Sequence, residues 1–275
     1  MNIVTIFNYP DDEKFNTMFK IWLVSVLYNK DKTVGDLRKV RILTKELTPS
    51  VYEFIVKLGR EDVEVVLRED DVRARHYVEK ARHNIGFKLF NLCKEVEPYI
   101  YLDSDMLILT PFTDILNASK EKTFISVNHQ TIPGHTSHIP FKFINTGFYV
   151  LTEPSLFDYE EIISLPLRFR CPGTDQMLIY NFLRTKEIDY THRKIHYGWN
   201  SCAGFKKITD RGVVADGIPE KHPVHILHYW FEYKPWIKPC PIYSQYAEIV
   251  KESKPFQEYV PYIESTIPNT RSLFS

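Results

Sequence analysis

Strand-like and helix-like apolar patterns alternate along the first 110 residues, and this alternation constrains the fold more than any other feature of the sequence. A short continuous apolar run at 3–7 is typical of a strand buried on both faces, and further strands are predicted at 40–44 and 63–67. Residues 14–29 carry apolar side chains at three- and four-residue spacings, and Thr48 with Pro49 supplies an N-cap and a first-turn proline. This order predicts an α/β fold of βαβ units with a mainly parallel central sheet flanked by helices.

The remaining chain continues the pattern less regularly. Residues 84–96 predict a helix that leads directly into a strand at 99–109. Further strands are predicted at 124–127 and 143–151, and further helices near 155–164, 174–185 and 242–252. At 275 residues, the length fits a single domain. We place this domain at 1–240 and assign 241–275 to a C-terminal helix and tail.

The charge balance argues against a nucleic-acid partner. Lysine plus arginine number 35, as do aspartate plus glutamate, whereas nucleic-acid binders usually have a basic surplus. No signal peptide and no run of roughly 18 apolar residues is visible in the sequence, and the four cysteines form no C-x-x-C pair. We therefore expect a cytoplasmic protein without a membrane span. A chain trimmed of a membrane anchor would look the same.

Two acids interrupt the apolar run YLDSDMLIL at 101–109. Burying an unpaired carboxylate costs several kcal/mol, so Asp103 and Asp105 need a compensating partner. In a strand they would point to the same side, with Ser104 directed elsewhere, and could converge on one hard divalent cation. The alternative is a turn in which the two aspartates cap backbone amides.

Three further segments combine polar groups with apolar surroundings. HILHYWFEYKPW at 225–236 contains two histidines and a lysine, which together could bind a metal and a diphosphate. The alternative is a strand whose aromatic residues lie in the core and whose histidines have no functional role. FINTGFYVL at 143–151 contains Gly147, which permits close backbone approach by a ligand or marks a bulge. GTDQMLIY at 173–180 opens a helix with residues that either cap it or bind sugar hydroxyls.

In this order and spacing, the four segments resemble the family-8 glycosyltransferases, which include glycogenin and bacterial lipopolysaccharide galactosyltransferases. The resemblance covers roughly residues 1–240. It implies a single Rossmann-like domain of the GT-A fold, a nucleotide-sugar donor (usually a UDP-sugar), and transfer to a glycan or protein hydroxyl with retention of configuration. It also implies a cofactor, Mn²⁺ or in its place Mg²⁺.

The resemblance also implies roles for individual residues. The metal ligands would be Asp103, Asp105 and His228, whereas His225 is out of register and structural. The catalytic pair beside the transferred sugar would be Asp175 and Gln176. The donor-binding residues would be Phe7, Asn8, Tyr9, Lys88, Asp103, Ser104, Asp105, Asn145, Gly147 and Lys234, with Lys234 on the diphosphate. Phe231 stands where the family has a glycine, which indicates a divergent member.

Two other functions remain open at this stage. A catalytically inactive sugar-nucleotide-binding scaffold could share the same fold. A zinc module could use His129, His135 and His138 together with a cysteine, although their spacing is unlike common zinc patterns. The sequence does not identify the sugar, the acceptor or the oligomeric state, for which a homodimer is one alternative.

Overall fold

The computed structural model describes residues 1–8, 12–70, 85–128, 144–166, 174–202, 206–209, 212–215 and 224–229. The strands in these ranges are β1 (Asn2–Ile6), β2 (Val40–Thr44), β3 (Val63–Leu67), β4 (Tyr99–Leu102), β5 (Met106–Ile108), β6 (Phe124–Asn128), β7 (Ile144–Leu151), β8 (Ser201–Cys202), β9 (Lys206–Thr209), β10 (Gly212–Ala215) and β11 (Ile226–His228). The α-helices are α1 (Glu13–Asp31), α2 (Pro49–Leu58), α3 (Ile85–Leu92), α4 (Thr113–Ala118), α5 (Tyr159–Ser164) and α6 (Thr174–Thr185). Short 3-10 turns lie at Pro154–Leu156 and Tyr197–Asn200.

The central sheet has six strands in the order β3-β2-β1-β4-β7-β6. The first four are parallel, and Ile3 of β1 lies opposite both Val40 of β2 and Ile100 of β4. Strand β7 runs antiparallel to β4 and to β6. The sheet is therefore mainly parallel and flanked by helices, which confirms the predicted fold class.

Two hydrophobic cores lie on opposite faces of this sheet, because successive strand residues point to opposite sides. Helices α1, α2 and α4 cover one face, whose buried residues include Phe19, Trp22, Phe54, Ile115 and Phe148. Helices α3, α5 and α6 cover the other, whose buried residues include Leu89, Tyr101, Tyr149, Ile162 and Phe182. Burial of each large apolar side chain stabilises the fold by roughly 1.5–3 kcal/mol.

A second, three-stranded sheet has the order β5-β11-β8. Strand β11 pairs antiparallel with β5 and parallel with β8, so that His228 lies opposite Met106 and Cys202. Strands β9 and β10 form a separate antiparallel pair. The second sheet thus brings the end of β11 next to the segment that follows β4.

The prediction of one strand at 99–109 is wrong. Strand β4 ends at Leu102 in the central sheet, and β5 begins at Met106 in the second sheet. Asp103 to Asp105 form the turn between them. The reason is that the acids leave the apolar sheet at its carboxyl edge, where charged groups keep access to ligands and solvent.

The predicted start of α2 is confirmed, whereas α3 ends earlier than predicted. The Thr48 hydroxyl accepts the Val51 amide at 3.4 Å, and Gly59 ends α2 with a left-handed φ of 60°. The helix predicted at 84–96 is shorter than expected, since α3 ends at Leu92 and Val96 is 84% exposed.

Two predictions concern the end of the chain. The helix near 242–252 and the domain boundary at 240 lie outside the described residues, so both stay predictions. Of the helices that the structure describes, none combines the length and apolar character needed to cross a membrane.

Candidate metal centre and active site

The acidic turn lies at the carboxyl end of β4 and is held there by two backbone hydrogen bonds. The amide of Asp103 donates to the carbonyl of Gly147 at 2.8 Å, and the amide of Tyr229 donates to the carbonyl of Asp105 at 2.9 Å. The turn is therefore fixed to β7 on one side and to the end of β11 on the other. This edge of a parallel α/β sheet is where ligands usually bind.

His228 completes a group of three potential ligands with the two aspartates. Its Nε2 lies 3.1 Å from Asp105 Oδ1 and 3.6 Å from Asp103 Oδ2. One ligand atom from each residue lies within 4.8 Å of the others. The imidazole is 4% exposed, whereas both carboxylates are partly exposed. The three residues predicted to bind a metal are thus brought together.

The chemistry of this group fits a divalent cation. Two carboxylates and one imidazole provide hard oxygen donors with a single nitrogen, a set that suits Mn²⁺ and, with fewer protein ligands, Mg²⁺. Because the carboxylates are partly exposed, the set leaves room for ligands from a substrate, unlike a closed structural zinc site.

Gly147 makes the close approach of these groups feasible. A Cβ atom at this position would lie 2.4 Å from His228 Cε1 and 2.9 Å from Asp103 Oδ2. Its backbone conformation is that of an ordinary strand residue in β7, so the requirement for glycine comes from space and not from φ. The glycine therefore permits the approach of His228 to Asp103 past the backbone of β7.

Asn145 and Asn200 connect β7 to the outer side of His228. Asn200 Oδ1 lies 2.9 Å from His228 Nδ1, and Asn200 Nδ2 donates to the carbonyl of Asn145 at 3.5 Å. Asn145 Oδ1 accepts the amide of Gly147 at 2.9 Å. Both asparagine side chains are buried, so these hydrogen bonds are shielded from water.

Lys88 joins the metal-ligand group to the predicted catalytic carboxylate. Its Nζ donates to Asp103 Oδ1 at 2.9 Å and lies 3.0 Å from Asp175 Oδ2. Burial disfavours the charged form of Lys88, but Asp103 and Asp175 outweigh it and raise the pKa of the ammonium above its usual value. Burial would raise the pKa of Asp175, yet Lys88 and the Thr146 hydroxyl hold that pKa below its usual value.

Thr146 and Gln176 tie the start of α6 to β7. The Thr146 hydroxyl donates to Asp175 Oδ2 at 2.8 Å, and its backbone amide donates to Gln176 Oε1 at 3.2 Å. Asp175 and Gln176 therefore sit beside the acidic turn, separated from Asp103 by the single ammonium of Lys88.

Tyr101 is a site residue that the sequence analysis missed. Its hydroxyl donates to Asp103 Oδ1 at 2.6 Å, and Lys88 Nζ lies 4.5 Å from its ring centroid. Burial and then the charge of Asp103 raise the pKa of Tyr101 well above its ordinary value, so the phenol remains a donor. The signal in the sequence was its position two residues before Asp103, near the end of the strand that leads into the acidic turn.

The other predicted residues are less closely involved. The Phe7 ring is 1% exposed and stacks on Phe19 at 4.1 Å, which makes it part of the core. Asn8 is half-buried after β1, and Ser104 is nearly buried within the acidic turn. Four further candidates, Tyr9, His129, His135 and His138, lie outside the described residues, as does the predicted diphosphate ligand Lys234.

His225 lies away from the ligand group, as its register predicts. Its ring stacks on Trp199 with centroids 4.2 Å apart, and Nδ1 lies 2.8 Å from the Thr110 hydroxyl. Burial lowers the pKa of His225 to about 4, so the ring is neutral near pH 7.

No protein-family model and no curated protein matches the chain. Solved structures do match. The glycosyltransferase GlyE of Streptococcus pneumoniae superimposes with a TM-score of 0.56 at 15% identity, covering 86% of this chain and 55% of that chain. The galactosyltransferase LgtC, solved with donor and acceptor sugar analogs, superimposes with a TM-score of 0.58 at 13% identity, covering 92% of this chain and 96% of that chain. Mouse xyloside xylosyltransferase 1 gives a TM-score of 0.52 at 12% identity, covering 83% and 97%.

These identities are all far below the level that would show shared activity, so the comparisons show the fold. This chain spans about half the length of GlyE and nearly the whole of LgtC. The protein therefore has the GT-A fold found in these glycosyltransferases, with an Asp-Asp-His group at the carboxyl edge of its central sheet.

Proposed function

We propose that this protein is a metal-dependent glycosyltransferase of the family-8 type. The proposed reaction transfers a hexose or a related sugar from a nucleotide-sugar donor to a glycan or protein hydroxyl, with retention of the anomeric configuration. The observation that carries the proposal is the convergence of Asp103, Asp105 and His228 on a fold shared with glycosyltransferases. The donor in this proposal is a UDP-sugar, and the cofactor is Mn²⁺ or Mg²⁺.

The metal-ligand group would hold the cation that binds the donor diphosphate. When bound, a divalent cation acts as a Lewis acid that stabilises the negative charge of the leaving nucleoside diphosphate. Asp103 offers Oδ2 toward His228, while its Oδ1 is engaged by Tyr101 and Lys88. Lys234, six residues after His228, would add a second positive charge at the diphosphate.

The sugar would lie next to Asp175 and Gln176. Lys88 and Thr146 both contact Asp175 Oδ2, which fixes the orientation of the carboxylate. An anion placed there stabilises an oxocarbenium-like transition state, as in glycoside hydrolysis. Retention then proceeds by a carboxylate nucleophile or by attack of the acceptor on the face that the leaving group vacates. Gln176 would bind sugar hydroxyls through its amide.

A panel of nucleotide sugars tests this function. The full chain is incubated with each sugar with and without Mn²⁺, and release of the nucleoside diphosphate and the melting temperature are measured. We expect Mn²⁺-dependent release and thermal stabilisation with a UDP-sugar, because a ligand that binds the native state raises its stability. Binding that raises the melting temperature without any turnover, with acceptors also supplied, would favour the inactive scaffold instead.

Asp105→Ala is the variant that tests the metal-ligand group. It should abolish Mn²⁺-dependent release, since it removes a ligand from the centre. The matched control is Asp36→Ala, whose exposed carboxylate pairs with Arg38 before β2 and should leave turnover unchanged. Near-normal activity of Asp105→Ala would contradict the proposed function, and stoichiometric zinc that resists chelation would revive the zinc module.

A further inference from the structure

Both ring nitrogens of His228 have polar partners, Nδ1 on the side away from the carboxylates and Nε2 on the side that faces them. Asn200 is 3% exposed, and its Oδ1 lies 2.9 Å from His228 Nδ1. On the other side of the ring, Nε2 lies 3.1 Å from Asp105 Oδ1. The two ring nitrogens therefore face different kinds of partner, a neutral amide and the ligand group.

The orientation of the Asn200 amide follows from its second hydrogen bond. Asn200 Nδ2 faces the carbonyl of Asn145, and a carbonyl oxygen can only accept a hydrogen bond. The amide oxygen must then face His228, where it acts as an acceptor. An acceptor at Nδ1 favours the neutral tautomer with its proton on Nδ1, which leaves the lone pair of Nε2 for a cation held between the carboxylates.

We infer that Asn200 is a positioning residue for the metal centre, which selects the Nδ1-protonated tautomer of His228 and directs Nε2 toward the cation. The inference rests on the proposed metal site and adds a residue to it. Asn200 does not touch the cation, and acts through the imidazole. Hydrogen bonds to the second nitrogen of a ligating histidine fix its tautomer and increase its basicity.

The strand motif Asn145-Thr146-Gly147 has a part in the same arrangement. The Asn145 carbonyl orients Asn200, and the Asn145 side chain accepts the amide of Gly147 at 2.9 Å. Gly147 in turn leaves the space that the His228 ring occupies. Residues that the sequence places beside the donor sugar thus also support the third metal ligand.

The first measurement reads the tautomer directly. The metal-free full chain is labelled with ¹⁵N-histidine and measured at a pH well above the ordinary histidine pKa, where two-bond couplings between ring protons and nitrogens show how the ring proton divides between Nδ1 and Nε2. His228→Asn assigns the signal by its loss. Because the carboxylates of Asp103 and Asp105 also accept a proton from Nε2 when no metal is bound, we expect a larger Nδ1–H fraction in the wild-type protein than in Asn200→Leu. Equal fractions in the two proteins would overturn the inference, and this measurement needs no metal.

The second measurement compares Mn²⁺ affinity among variants, by the electron paramagnetic resonance of free Mn²⁺. Asn200→Leu removes the acceptor, and we expect its affinity to fall about 10–100-fold. Asn200→Asp keeps an oxygen acceptor for Nδ1 but loses the donor to the Asn145 carbonyl, so we expect its affinity to fall less than that of Asn200→Leu. Asn29→Leu is the matched control, because Asn29 is equally buried but its side chain bonds the carbonyls of Ser25 and Ile108.

Each outcome has a defined meaning. Asn200→Leu that keeps wild-type affinity, or Asn200→Asp that loses as much as Asn200→Leu, would overturn the positioning role. If Asn200→Leu does not fold, Asn200→Ala replaces it in both measurements. A wild-type protein that binds no Mn²⁺ would contradict the proposed function itself, which the tautomer measurement does not depend on.

Discussion

Two clusters of charged side chains among the described residues differ in their charge balance. The site cluster surrounds the acidic turn and consists of Lys88, Asp103, Asp105 and Asp175. The Glu95 cluster lies beyond the end of α3 and consists of Arg41, Glu64, Arg68 and Glu95. The site cluster sets three carboxylates against one ammonium, whereas the two carboxylates of the Glu95 cluster face two guanidinium groups and the ammonium of Lys39, which pairs with Glu64.

This difference separates a binding site from a structural ion-pair network. The Glu95 side chain is 1% exposed, and Arg41 and Arg68 both contact it, so its charge is compensated within the fold. Among the described residues, the site cluster has an excess of two negative charges, equal to the charge of one divalent cation. The Glu95 cluster therefore has the charge balance of a structural network, whereas the charge excess of the site cluster supports the proposed metal centre.

The largest expected effect comes from replacing a metal ligand in the site cluster. Asp105→Asn should lower Mn²⁺-dependent transfer at least about 1,000-fold, since one metal ligand contributes several kcal/mol of charge stabilisation. In the metal-free protein, the same change should leave the melting temperature unchanged or raise it, because it relieves repulsion among like charges. A marked loss of metal-free stability would mean that the site cluster is a structural network like the other.

Glu95→Gln tests the other cluster. Removing one partner from a buried ion-pair network leaves charges uncompensated, so we expect the free energy of unfolding to fall by about 3–5 kcal/mol. The affinity for Mn²⁺ of the folded protein should not change. Urea denaturation and Mn²⁺ titration measure the two quantities. Glu97→Gln, at a half-exposed carboxylate two residues away, is the matched control.

Gly147→Ala tests the site cluster by adding a methyl group without changing any charge. The added methyl group would meet His228 Cε1 at 2.4 Å, so we expect the imidazole to be displaced and Mn²⁺ affinity to fall on the order of 100-fold. Gly59→Ala is the control, because nothing lies within 4 Å of its Cβ position, although its positive φ carries a modest strain. Equal Mn²⁺ affinity in both variants would contradict the packing argument.

The smallest effect concerns His225, which lies outside both clusters. Burial lowers its pKa to about 4, so between about pH 4 and 6.5 the unfolded chain binds more protons than the native state. Stability is therefore fully present above pH 6.5 and is lost as the pH falls toward 4. In His225→Phe the loss between pH 7 and pH 5 should shrink by up to about 2 kcal/mol, as measured by urea denaturation. If His225→Phe has the same pH dependence of stability as the wild type, the lowered pKa of His225 is contradicted.

Elements set by local signals could be predicted from the sequence. The strands at 40–44 and 63–67 have the predicted bounds, since each is a short segment rich in β-branched and other apolar residues. The helix after Thr48 begins where the N-cap and Pro49 indicate. The mainly parallel sheet then follows from the order of these elements.

Contacts between distant segments could not be predicted in the same way. The expectation that Asp103 and Asp105 converge agrees with the structure, but for a reason other than strand alternation, since both lie in a turn between two sheets. His228 reaches them through the pairing of β11 with β5, a contact that no local pattern specifies. The Glu95 cluster escaped prediction because its arginines lie 27 and 54 residues away in the chain.

The most direct test of the central claim is the electron spin-echo envelope modulation of Mn²⁺ added to the full chain together with a UDP-sugar. If Asp103, Asp105 and His228 hold the cation, the spectrum should show coupling to a single imidazole nitrogen, and His228→Asn should remove it. Bound Mn²⁺ without nitrogen coupling, or coupling that persists in His228→Asn, would contradict the assignment of this metal centre.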